Sequence, residues 1–120
     1  MKLCITAQGE TLDAQVDPRF ARAPSFIIYD TETDQWQAVD NSQNLQAASG
    51  AGVQASQNVV TLGAQVVLTG HCGPNAFRVL STAGIGVIVN VEGTVTEAVA
   101  QYKAGSLKPS ESADVEGHWA

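Results

Sequence analysis

The stretch that decides the fold is residues 66–90, VVLTGHCGPNAFRVLSTAGIGVIVN. It begins with the apolar run Val66–Thr69 and ends with another, Gly86–Asn90. Continuous apolar runs of this length are typical of parallel strands covered on both faces. Between them, Asn75–Ala83 carries apolar residues at helical spacing. The stretch therefore predicts a strand–helix–strand unit whose first strand ends at the loop Gly70–Asn75.

Segments on either side extend this unit into an α/β fold. Leu3–Ala7 predicts a buried first strand, and Ser25–Asp30 and Trp36–Asp40 predict an antiparallel hairpin. One helix is predicted from Gly50 to Gly63 and another from Thr94 to Gly105. Thr94 can serve as the N-cap of the second helix. Together these elements predict a mixed sheet of about five strands with flanking helices and its antiparallel part at one edge.

Length and composition limit the classes of function. The 120 residues fit one domain, which we place at 1–105, followed by a polar and acidic tail, 106–120, predicted to be mobile. The net charge of -6 disfavours nucleic-acid binding. No apolar run approaches the roughly 18 residues that span a bilayer, so we expect no membrane partner. The two cysteines, Cys4 and Cys72, form no disulfide framework and no zinc motif, which predicts a cytoplasmic protein.

Three loops precede helices at the predicted carboxyl edge of the sheet, namely residues 50–53, 70–75 and 90–94. Ligands of open α/β sheets collect at that edge. The unpaired amides of a helix N-terminus attract anions even where the net charge is negative, because the helix dipole acts within one turn. The candidate cofactor-binding residues on the first two loops are Gly50, Gly52, Gly70, Gly73 and Asn75, together with His71 and Cys72.

His71 and Cys72 are also the candidate metal ligands, since imidazole and thiolate suit copper, zinc and iron–sulfur species. Two ligands do not complete a metal cage. The structural alternative makes Cys72 a small buried residue and His71 an ordinary polar loop residue. A third interpretation makes Cys72 a nucleophile with His71 as its base, although adjacent residues on an extended backbone point opposite ways. Cys4, inside the first strand, is assigned to the core.

Arg19 and Arg22 flank Phe20 and give an acidic protein one cationic spot. They are candidate residues for clamping an anion. The alternative is a pair of surface arginines that offset Asp13 and Asp17.

Several segments resemble the dinitrogenase iron-molybdenum cofactor biosynthesis family over roughly residues 1–105. They are the first strand, Asp17–Ala23, Phe26–Tyr29, Gly63–Gly70, Gly73–Ala76 and Gly84–Val87. The resemblance implies a ribonuclease H-like fold and a carrier rather than an enzyme. It also implies that the protein holds a molybdenum–copper–sulfide cluster non-covalently. The cluster would lie between three segments, namely Asp17–Ala23, the Gly50 loop and the loop Gly70–Asn75. Cytoplasmic P-loop ATPases are implied as partners.

A cluster that brings its own sulfides needs chiefly positive potential, backbone amides and a partly apolar pocket. The leading hypothesis is therefore a non-catalytic carrier of an anionic metal–sulfur cluster. The alternatives are a thiol enzyme using Cys72 and His71, and an interaction or regulatory domain without a cofactor.

Overall fold

The computed structural model describes residues 1–44 and 50–110. Within these ranges the regular elements follow the predicted order. They are β1 (Lys2–Ala7), β2 (Ser25–Asp30), β3 (Trp36–Asp40), α1 (Ala51–Thr61), β4 (Val66–Leu68), α2 (Pro74–Thr82), β5 (Gly86–Ile88) and α3 (Val95–Lys103). A short 3-10 helix, Ser42–Asn44, lies between β3 and α1 and was not expected from the sequence.

The strands form one mixed sheet in the order β3-β2-β1-β4-β5. β1 pairs antiparallel with β2, and β2 pairs antiparallel with β3. On its other side β1 pairs parallel with β4, which pairs parallel with β5. The predicted α/β class and the antiparallel part at one edge are confirmed.

The helices cover the two faces of the sheet, and side chains alternate between the two cores. The core on the α1 and α2 face includes Cys4, Phe26 and Val67. The core on the α3 face includes Leu3 and Ile5. Residues 3–7 of β1 are buried throughout, as the sequence predicts for a central strand. Cys4 is fully buried, and its assignment to the core is confirmed.

α3 begins with the cap that the sequence predicts. The Thr94 side-chain oxygen accepts from the Glu97 amide at 3.1 Å, and Glu97 Oε1 accepts from the Thr94 amide at 2.9 Å. This reciprocal capping box satisfies two amides of the first turn of α3. The N-terminus of α3 is therefore occupied by the chain itself.

The residues after α3 run back along the sheet. Leu107 packs against the α3-side core, and the Ser110 amide donates to the Val87 carbonyl oxygen at 2.6 Å. The predicted tail thus starts with a segment that contacts β5, while residues 111–120, with His118 and Trp119, lie outside the described residues. Among the helices of the described ranges, none is long and apolar enough to cross a bilayer.

Candidate functional site

The candidate loops meet where β1, β4 and β5 end. Arg19 forms a parallel bridge with His71, and the Phe20 amide donates to the His71 carbonyl oxygen at 3.2 Å. On the other side, the Asn90 amide donates to the Gly70 carbonyl oxygen at 2.8 Å. The structure thus brings together the Arg19 and His71 segments, which are far apart in the sequence.

Gly70 is required by the contact between these loops. A Cβ atom at this position would lie 2.5 Å from Pro18 Cα and 2.7 Å from the Pro18 carbonyl oxygen. Both distances are well inside van der Waals contact, and both atoms belong to the backbone. Gly70 therefore allows the Arg19 loop to pack directly on the His71 loop.

A buried network of hydrogen bonds holds the Arg19 loop against the ends of β1 and β4. The Thr6 hydroxyl donates to the Asp17 carbonyl oxygen at 2.8 Å and lies 2.9 Å from the Thr69 hydroxyl. The Asp17 amide donates to the Thr6 carbonyl oxygen at 2.9 Å. Thr6, Asp17 and Thr69 are all buried, so these bonds replace contacts with water. Asp17 Oδ1 then accepts from the Arg19 amide at 2.8 Å, which sets the backbone of Arg19.

The Arg19 side chain remains available to a ligand. Its Nε lies 4.0 Å from Asp17 Oδ1, at the outer limit of an ion pair. The Asp17 side chain is 5% exposed, whereas that of Arg19 is 47% exposed. The sequence offered a pairing of the arginines with Asp17 as an alternative, and Arg19 makes this ion pair. The pairing nevertheless leaves the Arg19 guanidinium in contact with solvent. Arg22, two residues beyond Phe20, is half-buried.

The N-termini of α1 and α2 lie side by side. The Ser56 hydroxyl donates to the Gly52 carbonyl oxygen at 2.7 Å and lies 3.3 Å from that of Ala76. Both helices have glycine at the N-cap, Gly50 with φ +78° and Gly73 in an extended conformation. Neither N-cap has a side chain that could accept from the first-turn amides, in contrast to α3. The first-turn amides of α1 and α2, including that of exposed Asn75, carry the partial positive charge of two adjacent helix ends.

Cys72 and His71 lie in different surroundings. The Cys72 side chain is 0% exposed and belongs to the core that contains Ala76 and Leu80. Its Sγ lies 3.7 Å from the Gly73 carbonyl oxygen. His71 is half-buried. Among residues 1–44 and 50–110, no group of three or more His, Cys, Asp or Glu residues is placed to hold a metal ion. A metal bound by the Cys72 sulfur would require that sulfur to leave the core, and ligation by His71 and Cys72 stays a prediction.

Acidic residues are distributed unevenly along the chain. The sequence holds twelve Asp and Glu residues, yet none lies between Asp40 and Glu92. That span contains α1, α2 and the loop Gly70–Asn75, and its one charged Lys or Arg residue is Arg78. Sequence reasoning that counted charge over the whole chain missed this segregation, although the residues that show it are visible in the sequence. Residues 41–91, which form the α1 and α2 side of the site, therefore contribute no carboxylate to it.

In the described part of the chain, three of the clefts lie away from these loops. One of about 190 Å³ lies beside α3, one of about 290 Å³ lies between β3 and α1, and one of about 260 Å³ lies beside β3. The candidate site is formed instead by backbone amides and arginines at the ends of strands and helices.

Comparison with known proteins agrees with this architecture. A family model described as dinitrogenase iron-molybdenum cofactor matches residues 1–105. The apo form of the orange protein from Desulfovibrio gigas is 38% identical, with a TM-score of 0.93 over 95% of this chain and 96% of that chain. The sequence segments that resemble the family also resemble the orange protein of sulfate-reducing bacteria, and this match confirms that resemblance.

Two further solved structures are similar. A putative NifB protein from Thermotoga is 35% identical, with a TM-score of 0.83 over 97% of this chain and 98% of that chain. A putative dinitrogenase from Methanocaldococcus jannaschii shares the fold at 13% identity, with a TM-score of 0.70 over 93% of this chain and 96% of that chain. No functionally curated protein sequence matches the chain.

Proposed function

Because the chain belongs to the dinitrogenase iron-molybdenum cofactor family, we propose that it is a non-catalytic carrier of an anionic metal–sulfur cluster. The family and the likeness to the orange protein suggest a cofactor-binding or carrier role. In this proposal the cluster is cargo that the protein receives, holds and releases. The domain that holds it is residues 1–105.

The observation that carries the proposal is the meeting of Arg19 with two adjacent helix N-termini, both of which come from residues 41–91, a segment without Asp or Glu. Gly50 and Gly73 place no side chain at the N-caps of α1 and α2, so neither N-cap residue accepts from a first-turn amide through a side chain. The carboxylate of Asp17, beside Arg19, is buried and accepts from the Arg19 amide. Amides, helix ends and a guanidinium together favour an anion locally, although the whole chain carries a charge of -6.

The donor set fits a cluster that supplies its own sulfides rather than one built on protein thiolates. A thiolate-anchored cluster needs several cysteines, and Cys72 is the one cysteine near the site, fully buried in the core. Sulfides of a preformed cluster can instead accept hydrogen bonds from amides and arginines. We assign this role to Arg19 and Arg22 and to the first-turn amides of α1 and α2, with His71 lining the site.

The finer identity that we propose is a molybdenum–copper–sulfide cluster. This identity is supported by the sequence resemblance described above. It is also supported by the chemistry of copper, a soft metal that prefers sulfur ligands such as sulfide. The same resemblance supports a cytoplasmic location and exchange of the cluster with P-loop ATPases.

The proposal is tested on protein isolated anaerobically from its native source. A carrier is expected to show visible charge-transfer bands that elute with the protein, and metal analysis is expected to find molybdenum and copper in constant ratio to the chain. Protein that is colourless and cannot be reconstituted with tetrathiomolybdate and copper would favour an interaction domain without a cofactor. A thiol enzyme would be indicated by turnover that Cys72→Ala abolishes, and the burial of Cys72 does not favour that outcome.

A further inference from the structure

The chain returns along the outer side of β5 after α3. Gly86 and Ile88 direct their backbone groups toward the β4 segment and bond to it. Val87, between them, directs its backbone groups outward. The Val87 carbonyl oxygen accepts from the Ser110 amide at 2.6 Å. The returning segment therefore pairs with the outward groups of β5.

The returning segment runs in the same direction as β5. A Cβ atom on Gly86 would lie 3.8 Å from Pro109 Cγ, which places Pro109 beside Gly86. Ser110, the next residue, bonds to Val87, the next residue of β5. β5 is parallel to β4, and β4 is parallel to β1. The chain therefore leaves Ser110 toward the carboxyl edge of the sheet, where the candidate site lies.

The next outward group of β5 is open. In a parallel ladder, the group that follows the Val87 carbonyl oxygen on the outer side is the Val89 amide. Residues 1–44 and 50–110 supply no backbone hydrogen bond to that amide. The ladder that Ser110 begins brings its own carbonyl oxygen and the residues after it to this position. This geometry favours the continuation of the same chain as the occupant of the edge.

The candidate site is within reach of this continuation. Neighbouring strands lie about 4.8 Å apart, so the loops after β4 and β1 are about 10 and 14 Å from a chain paired on the outer side of β5. The six residues 111–116 span about 20 Å when extended. The Asn90 amide, which donates to the Gly70 carbonyl oxygen, joins the end of β5 directly to the loop that carries His71.

The sequence of the continuation is complementary in charge to the site. Residues 111–120 read ESADVEGHWA, with three carboxylates and no lysine or arginine. At the site, the Arg19 side chain is 47% exposed, and the N-termini of α1 and α2 add partial positive charge. Residues 41–91 contribute no carboxylate there. The anion that this site favours is thus available within the chain itself.

We propose that residues 111–120 are an intramolecular competitor of the cargo, whose carboxylates occupy the anion site at Arg19 until a cluster displaces them. This inference rests on the proposed carrier function. Because the segment is tethered at Ser110, its effective concentration at the site is of about millimolar order. Even a weak contact then lowers the apparent affinity for the cargo, and it assists release because the segment refills the site as the cluster leaves.

Charge substitutions in the full chain test this competition. Asp114→Asn with Glu116→Gln removes two carboxylates from the segment and keeps its length. Asp30→Asn with Glu32→Gln is the matched control, since it removes two carboxylates at the opposite end of the sheet, beside the start of β1. Asparagine at residue 30 keeps the oxygen that accepts from the amide of residue 32. A chain that stops after Ser110 removes the whole segment.

The first measurement is the affinity for tetrathiomolybdate, by equilibrium dialysis at low and at high salt. At low salt, the chain without the segment and the variant at residues 114 and 116 are expected to bind about fivefold more tightly than the wild type. High salt is expected to shrink this difference, because it screens the carboxylates. The control is expected to match the wild type. Equal affinities in all four proteins would overturn the inference and leave the carrier function standing, whereas absence of binding in all four would overturn both.

The second measurement uses the metal-free protein and therefore does not depend on cargo binding. Removal of the segment is expected to shift the NMR amide signals of Arg19 and Asn75 and to speed hydrogen exchange at the Val89 amide. Adding tetrathiomolybdate to the wild type is expected to shift the signals of residues 114–118, as the carboxylates leave the site. Signals of Arg19 and Asn75 that are identical with and without the segment would overturn the proposal, whatever the affinity for the cargo.

Discussion

Gly70 packs so closely on Pro18 that a Cβ atom at residue 70 would lie 2.5 Å from Pro18 Cα. This contact joins the loop after β1 to the loop after β4. The Phe20 amide, bonded to the His71 carbonyl oxygen, extends the same junction. Arg19 and the N-terminus of α2 are therefore held in a fixed relation before any ligand arrives, which reduces the ordering that binding requires.

Gly70→Ala is expected to destabilise the protein by about 1–3 kcal/mol, because the new methyl group would collide with backbone atoms of Pro18. Urea unfolding followed by circular dichroism measures the change. Gly86→Ala is the control, since a Cβ atom there would meet its nearest neighbours at 3.8 Å, an ordinary contact. Equal effects of the two substitutions would contradict a special role for the contact with Pro18.

Thr6→Val is expected to cost about 1–3 kcal/mol of unfolding free energy, because it leaves the buried Thr69 hydroxyl and the Asp17 carbonyl oxygen without the partner they share. Valine preserves the shape of the side chain, so packing changes little. Thr6→Ser restores the hydroxyl and is expected to recover most of the hydrogen-bond contribution. A valine variant as stable as the wild type would show that these bonds contribute nothing net.

Asp34 links the β2–β3 turn to α3. Its carboxylate accepts from the Tyr29 hydroxyl at 2.7 Å and pairs with the Lys103 ammonium. The hydrogen bond from Lys103, followed by that from Tyr29, lowers the pKa of the Asp34 carboxyl below its ordinary value of 3.8. A carboxyl whose pKa is lower in the folded state stabilises the fold above its unfolded pKa, and this contribution is lost as pH falls through the folded pKa.

Asp34→Asn is therefore expected to lower the urea midpoint by a constant amount from neutral pH down to about pH 4, with the difference vanishing on further acidification. Asparagine tolerates the left-handed backbone of this residue, φ +61°, so the substitution changes little else. Glu10→Gln removes an exposed carboxyl that takes no part in the Asp34–Tyr29–Lys103 contacts, and it serves as the control. A difference that persists unchanged at about pH 2 would contradict the assignment.

Cys72→Ala is expected to keep the cluster after reconstitution, since the proposed contacts come from amides and arginines. The cost of about 1 kcal/mol in stability reflects the small cavity left in the core. Cys4→Ala is the matched control, because it removes the other buried thiol, whose pKa burial raises. Metal analysis after desalting decides the question: complete loss from folded Cys72→Ala, with retention in Cys4→Ala, would show that the Cys72 sulfur is a ligand.

The elements of the fold were predictable because their signals are local. Apolar runs such as Val66–Thr69 and the capping threonine at residue 94 depend on neighbours in the sequence, and the structure confirms both. The contact between Gly70 and Pro18 was not predictable, because it depends on the crossing of two segments from different strands. The burial of Cys72 was offered only as one alternative, since a loop position between glycines is typically exposed.

The candidate site was predictable in part. Helix N-termini at the carboxyl edge follow from the order of the elements, and the bridge between Arg19 and His71 confirms that two of the candidate segments are adjacent. The buried Thr6–Asp17–Thr69 network was missed, because no local pattern connects residues on β1, its following loop and the end of β4. The absence of acidic residues between Asp40 and Glu92 could have been found by following the positions of the Asp and Glu residues along the sequence.

The central claim is tested most directly by counting molybdenum and copper on protein reconstituted with tetrathiomolybdate and copper, then desalted at low and at high salt. The wild type is expected to retain both metals in constant ratio to the chain at low salt, with visible absorption, and to lose part of them at high salt, since screening weakens contacts with an anion. The double variant Arg19→Gln, Arg22→Gln is expected to retain less at low salt and to depend less on salt. Lys2→Gln with Lys108→Gln removes the same charge from other positions and is expected to match the wild type. A wild type left colourless and free of both metals, or a double arginine variant that retains them as the wild type does, would contradict the account.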